Sequence, residues 1–173
     1  MNSHKNKAGK FAGMTLKAIL TTLFGSALLW ASPAGASDLP FKGRLDGSFV
    51  ATPTENPMIM VGGAQAVGLA THIGAFTKVT SDVTNIVTGE VVGAFTMTAA
   101  NGDHLTGVYR GFLAFGASPG TFSWLLNATI TGGTGRFLHA TGEFVFIASG
   151  NAVVVDGIVN GNYTETFDGT ISY

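Results

Sequence analysis

The end of the chain places one acid among aromatic residues. Tyr163, Glu165 and Phe167 are two residues apart, so in an extended strand their side chains share one face. A carboxyl group buried on such a face can donate or accept a proton. A shift of one residue in register turns Glu165 outward, and this is the orientation that we expect. Glu165 and Tyr109, which lies on an earlier strand, are the candidates for proton transfer.

Other chemistry has less support in the sequence. His72, His104 and His139 are 32 and 35 residues apart, and none has a second ligand at metal-binding spacing, so we expect no metal site. We place His72 on a strand face with Lys78 and Asp82, a face that the pattern indicates is partly wet. The chain contains no cysteine, which excludes thiol catalysis, disulfides and lipid attachment at a cysteine.

A glycine-rich stretch, GGTGRF, occupies residues 132–137. It lacks the third glycine of a dinucleotide-binding fingerprint and the Gly-Lys-Ser/Thr end of a P-loop, and no helical pattern follows it. We therefore interpret it as a turn in which Phe137 plugs the end of the fold, and we expect no cofactor.

The elements that position these residues are strands. From Arg44 onward, β-branched and aromatic residues alternate with polar ones, and no helical periodicity is found. Short connections favour antiparallel neighbours, and eight strands enclose room for side chains or one small ligand. The sequence predicts an all-β fold, an eight-stranded antiparallel up-and-down barrel or a closely related sandwich. The predicted strands are Arg44–Thr52, Ala64–Val79, Val87–Ala99, Leu105–Phe115, Thr121–Thr131, Thr141–Ser149, Ala152–Val159 and Tyr163–Tyr173, with an exposed loop from Pro53 to Met60.

The alternation also predicts which side chains point inward. The clearest strand has one apolar face, with Leu125 as the exception on the other face. Glycines inside strands are expected to let the sheet bend or to leave room for a large side chain opposite. The apolar face comprises Phe122, Trp124, Leu126, Ala128 and Ile130; the glycines are Gly68, Gly74, Gly93, Gly107 and Gly111; and the residues predicted to line a ligand site are Phe95, Met97, Tyr109 and Trp124.

The first 36 residues have the layout of a secretory signal. Lysines up to Lys17 precede the apolar run of residues 18–30, and the segment ends in Ala34-Gly35-Ala36. We predict cleavage after Ala36, which leaves one domain at residues 37–173 in the secreted or periplasmic space, with membrane contact only during export. This domain keeps five basic residues against ten acidic ones, a net charge of −5, which argues against nucleic-acid binding.

Residues 130–142, ITGGTGRFLHATG, resemble the turn before a late strand in the allene oxide cyclase and dirigent barrel superfamily. The stretch ATHIGAFT at residues 70–77 is similar to a segment of exported bacterial members. The resemblance implies an eight-stranded barrel, often trimeric, with an apolar central cavity. In that superfamily, plant cyclases close a ring in an unstable fatty-acid epoxide, and dirigent proteins steer the coupling of phenolic radicals.

Several functions remain open at this point. We favour non-covalent binding of a small apolar or aromatic molecule inside the barrel. A cyclase or isomerase would need a partly polar cavity with a convergent acid or tyrosine. A structural protein would fill its barrel with its own side chains and would use outward residues such as Val108 and Phe112 in a dimer or trimer. A small outer-membrane barrel would instead have an apolar exterior and a polar interior.

Overall fold

Residues 37–173 form one closed sheet in the computed structural model, and these are the residues that the structure describes. Each strand is antiparallel to the next, and the last pairs with the first, so the predicted eight-stranded antiparallel barrel is confirmed. The predicted signal peptide lies outside the described residues. The strands are β1 (Leu39–Pro53), β2 (Ile59–Ala70), β3 (Gly74–Asn85), β4 (Glu90–Ala99), β5 (His104–Phe115), β6 (Thr121–Gly133), β7 (Gly142–Val155) and β8 (Ile158–Ile171).

Two predicted strand assignments are wrong, and their errors cancel in the count. The stretch 64–79 is not one strand, because the chain reverses at residues 71–73, where His72 takes a φ of 65°. Conversely, the predicted strands Thr141–Ser149 and Ala152–Val159 are not two strands, because residues 142–155 form the single strand β7. The chain reverses instead at Asp156 and Gly157, with φ values of 51° and 78°. An Asp-Gly pair favours a two-residue hairpin because both residues tolerate positive φ.

Inward-facing glycines allow this narrow barrel to carry large rings. The ring of Phe167 lies over Gly43, its cross-strand partner, and the ring of Tyr163 lies over Gly47. A side chain at either glycine would meet the ring, so the glycines make the room that the rings fill. This confirms the predicted role of the strand glycines at positions 68, 93 and 107. The same arrangement pairs Gly68 with Phe76, Gly93 with Tyr109, Gly107 with Phe95, Gly150 with Phe122 and Gly161 with Phe49.

The two ends of the barrel differ. The end that carries the turns at residues 71–73, 100–103 and 134–141 is filled with side chains, and we call it the packed end. Within the last of these turns is a 3-10 helix, Gly135–Phe137, and its Phe137 is fully buried, as the sequence predicts. In the described range this is the only helix, and none is long enough to cross a membrane. The rings that fill this half are Phe41, Phe76, Phe95, Phe144, Phe146 and Phe167.

The opposite end, which we call the cavity end, carries the turns at residues 54–58, 86–89, 116–120 and 156–157. The predicted loop from Pro53 to Met60 forms the first of these turns and is exposed over residues 53–58. Strand β6 has the predicted orientation, with Phe122, Leu126 and Ile130 buried and Leu125 half exposed on the outside. The alternating pattern therefore turns one face of each strand toward the interior of the barrel. Side chains fill that interior only at the packed end.

Candidate functional site

A cavity of about 410 Å³ occupies the cavity end of the barrel. Polar side chains form its floor, and its rim includes the exposed residues Ile86, Phe115 and Val154. One wall is aromatic: the rings of Phe122 and Trp124 stack with centroids 5.2 Å apart, and Trp124 lies 4.8 Å from Tyr163. The other apolar lining residues include Phe49, Ala51, Met60, Ala64, Val91, Leu113, Leu126, Phe146, Ala152 and Val159.

Glu165 lies at the floor of this cavity, so the outward orientation expected from the sequence is wrong. Its side chain is 1% exposed and accepts hydrogen bonds through both carboxylate oxygens. The indole Nε1 of Trp124 donates to Oε2 at 2.9 Å. Trp124 on β6 and Glu165 on β8 are both paired with Ala148 of β7, and the small side chain of Ala148 leaves room for the indole to reach across.

The second oxygen of Glu165 pairs with Lys78 of β3, which is also buried. The ammonium lies 4.1 Å from the ring centroid of Phe146, a distance typical of a cation–π contact. Burial lowers the pKa of Lys78 below its ordinary value, and the carboxylate of Glu165 opposes that change. The face of β3 with Lys78 and Asp82, which the sequence predicts to be partly exposed to solvent, therefore points into the barrel. His72 does not belong to this face, because it lies in the turn before β3.

A second acid, Asp82, lines the cavity nearer to its mouth. The hydroxyl of Tyr109 donates to Asp82 Oδ2 at 3.0 Å, reaching across Gly93, the residue of β4 that pairs with both. Thr80 donates to the same oxygen at 3.5 Å. Burial raises the pKa of Asp82, and the hydrogen bond from Tyr109 opposes that change. Burial, with the neighbouring Asp82 charge, also raises the pKa of Tyr109, so the phenol keeps its proton.

Tyr163 completes the polar groups of the cavity. Its ring is 4% exposed and lies across Gly47. Its hydroxyl is buried and forms no hydrogen bond with any residue in the range 37–173. Burial raises the pKa of Tyr163, with the charge of Glu165 as the next cause. The hydroxyl therefore stays protonated and keeps one hydrogen bond to offer.

The structure brings some of the predicted site residues together and separates others. Tyr109, Trp124 and Glu165 all line the cavity. Phe95 and Met97 are 2% and 0% exposed, and they pack in the core without being part of the cavity lining. Three residues of the site were not predicted from the sequence: Lys78, Asp82 and Tyr163. The two-residue spacing of Phe76, Lys78, Thr80 and Asp82 was the available signal, but Val79 and Val83 on the opposite face obscured it, because both are apolar and exposed.

The three histidines in residues 37–173 lie away from this site. His104 Nδ1 is 3.0 Å from the hydroxyl of Thr98, and His72 Nδ1 is 3.3 Å from that of Tyr173. His139 is exposed in the turn before β7. No group of three or more histidines or acids in residues 37–173 is arranged to hold a metal ion.

Comparisons with known proteins give a distant structural similarity. No family model matches the chain, and no curated protein matches it. Among solved structures, the chain is similar to the pterocarpan synthase dirigent protein GePTS1. The two are 16% identical, the match covers 79% of this chain and 88% of the other, and the TM-score is 0.35. At this identity and TM-score, no property of that protein is transferred to this chain.

Proposed function

We propose that this protein binds a small apolar or aromatic molecule in the cavity at the cavity end of its barrel. The observation that carries the proposal is the cavity itself, which has apolar walls and a few polar groups gathered at its floor. Ligand sites in proteins have this composition: apolar walls supply most of the contact, and a few fixed polar groups set the orientation. The walls derive from every strand, so a bound molecule would be enclosed by the sheet.

The volume and the aromatic wall indicate the size of the ligand. About 410 Å³ is within the range of small-molecule pockets, and the stacked rings of Phe122 and Trp124 offer a flat surface. Within residues 37–173, a ligand can enter only from the cavity end, because the packed end is filled by buried rings. A ligand with one flat apolar body and one polar group that reaches the polar side chains of the cavity fits this arrangement.

Native mass spectrometry of the protein purified from its own host tests the proposal. We expect a retained small molecule in the wild-type protein and its loss in Ala51→Phe, which fills space at the cavity wall. Ser48→Phe adds the same ring to the same strand at an outward, exposed position and serves as the matched control. Retention that is equal in Ala51→Phe and Ser48→Phe would refute a ligand site inside the barrel.

A second candidate function is proton transfer on a bound molecule, favoured by the convergence of Glu165, Asp82 and Tyr109 on one cavity. Binding alone agrees better with the contacts, because both oxygens of Glu165 already accept hydrogen bonds. Exchange of the ligand's carbon-bound hydrogens in deuterium oxide separates the two functions. Enzymatic exchange that disappears in Glu165→Gln or Asp82→Asn supports catalysis, whereas a ligand that binds without exchange supports carriage.

We further propose that the protein acts outside the cytoplasm. This proposal is supported by the first 36 residues, in which a lysine-containing segment, an apolar run and a segment of small residues follow one another. It is also supported by the sheet, which begins at Leu39. The predicted cleavage after Ala36 would leave two residues before β1 and would release the complete barrel.

A further inference from the structure

The charges inside the cavity do not balance. Lys78 is paired with Glu165 at the floor, whereas Asp82 forms no ion pair with any of the described residues. Both of its hydrogen-bond donors, Tyr109 and Thr80, reach Oδ2. Oδ1 accepts no hydrogen bond from residues 37–173, and Asp82 is only partly buried. One carboxylate oxygen is therefore left for a donor that enters the cavity.

The charges at the mouth have the same sign. Glu55 and Asp156 lie in the turns of the cavity end, and those turns contain no lysine or arginine. Of the basic residues in the described range, only Lys78 lines the cavity, and its charge is matched by Glu165. The field along the entry path is therefore negative, which attracts a cation and repels a carboxylate.

We propose that the cavity selects ligands that carry an amine: an aromatic or apolar body with one ammonium group, which donates to Oδ1 of Asp82. The apolar body lies against the stacked rings of Phe122 and Trp124. This inference rests on the proposed function, since it names the ligand class of the same cavity. It also excludes a ligand whose polar group beside Asp82 is a carboxylate, because the two negative charges would meet with no free cation between them.

Three probes that share one ring system test the inference: 2-naphthylmethylamine, 2-naphthalenemethanol and 2-naphthoate. Their affinities for the purified protein are measured by isothermal titration at neutral pH. We expect the amine to bind about tenfold more tightly than the alcohol. A tenfold difference in affinity corresponds to ~1.4 kcal/mol, which a charge-assisted hydrogen bond can supply. The naphthoate should bind more weakly than the alcohol.

Two variants locate the effect. In Asp82→Asn, which keeps an acceptor for Tyr109, the amine should lose its tenfold preference over the alcohol. Asp156→Asn removes the same charge at the exposed rim, where solvent screens it, and should keep most of the preference. If the preference falls equally in both variants, the contact with Asp82 is refuted.

The comparison in the wild-type protein does not depend on either variant folding. If the alcohol binds but the amine binds no more tightly, the inference about the amine fails and the proposed function stands. If none of the three probes binds, and Ala51→Phe changes no ligand retention, the proposed function itself fails.

Discussion

Replacing Lys78 with methionine removes the ammonium and leaves the carboxylate of Glu165 with Trp124 as its remaining partner. Both members of the pair are nearly inaccessible, with side chains 3% and 1% exposed. Loss of one partner from a buried pair costs about 3–5 kcal/mol, because the other charge stays desolvated without compensation. We expect this cost in Lys78→Met, and a similar one in Glu165→Gln, as a lower free energy of unfolding in urea.

The double variant, Lys78→Met with Glu165→Gln, removes both charges and keeps an acceptor for Trp124. It should therefore be less destabilised than either single variant, and the coupling between the two sites should amount to several kcal/mol. Lys42 and Asp168 form the matched control, since their pair is 2.9 Å long but 58% and 69% exposed. Exposed pairs couple by about 1 kcal/mol or less. Equal coupling in the buried and exposed pairs would refute the reasoning.

Three further predictions follow from the same structure. Burial raises the pKa of Asp82 in the folded state, so its contribution to stability is complete below about pH 4 and is lost as the pH rises through the folded pKa. Urea unfolding from pH ~4 to ~7 should therefore show the wild-type protein losing stability relative to Asp82→Asn, and the opposite trend would contradict this. Gly43→Ala places a methyl group 2.6 Å from Cε1 of Phe167 and should cost about 1–3 kcal/mol, less when Phe167→Leu is also present; an unchanged cost in that background would contradict the packing. The intact mass of the exported protein should correspond to a chain that begins at Ser37, and a full-length mass would exclude cleavage after Ala36.

Local alternation was sufficient to predict an antiparallel sheet and much of its interior, but it left a barrel and a sandwich open, and the count of eight strands was right because two errors cancelled. The face of β6 with Phe122 and Ile130 inward and Leu125 outward follows from the two-residue period alone. The position of a strand end depends on finer signals, and Asp156-Gly157 shows that a turn dipeptide can outweigh an apolar run.

The polar residues at the floor of the cavity could not be predicted from alternation within single strands. Lys78 and Glu165 are 87 residues apart in sequence and lie on strands that are not neighbours, so only closure of the barrel brings them together. On β3, apolar Val79 and Val83 face outward and charged Lys78 faces inward, which reverses the ordinary pattern. Such a reversal is stable when the buried charge has a partner, and a single strand's sequence does not reveal that partner.

Methyl resonances of the alanines report whether a ligand occupies the cavity. Ala51, Ala64 and Ala152 line the cavity, whereas Ala94 and Ala114 are exposed on the outside of the sheet. Titration with 2-naphthalenemethanol should shift the three lining methyl signals with one common saturation curve, because the bound ring changes their local magnetic field, and should leave the two outer signals in place. Shifts confined to the outer alanines, or no saturable shift at all, would contradict a ligand site inside the barrel.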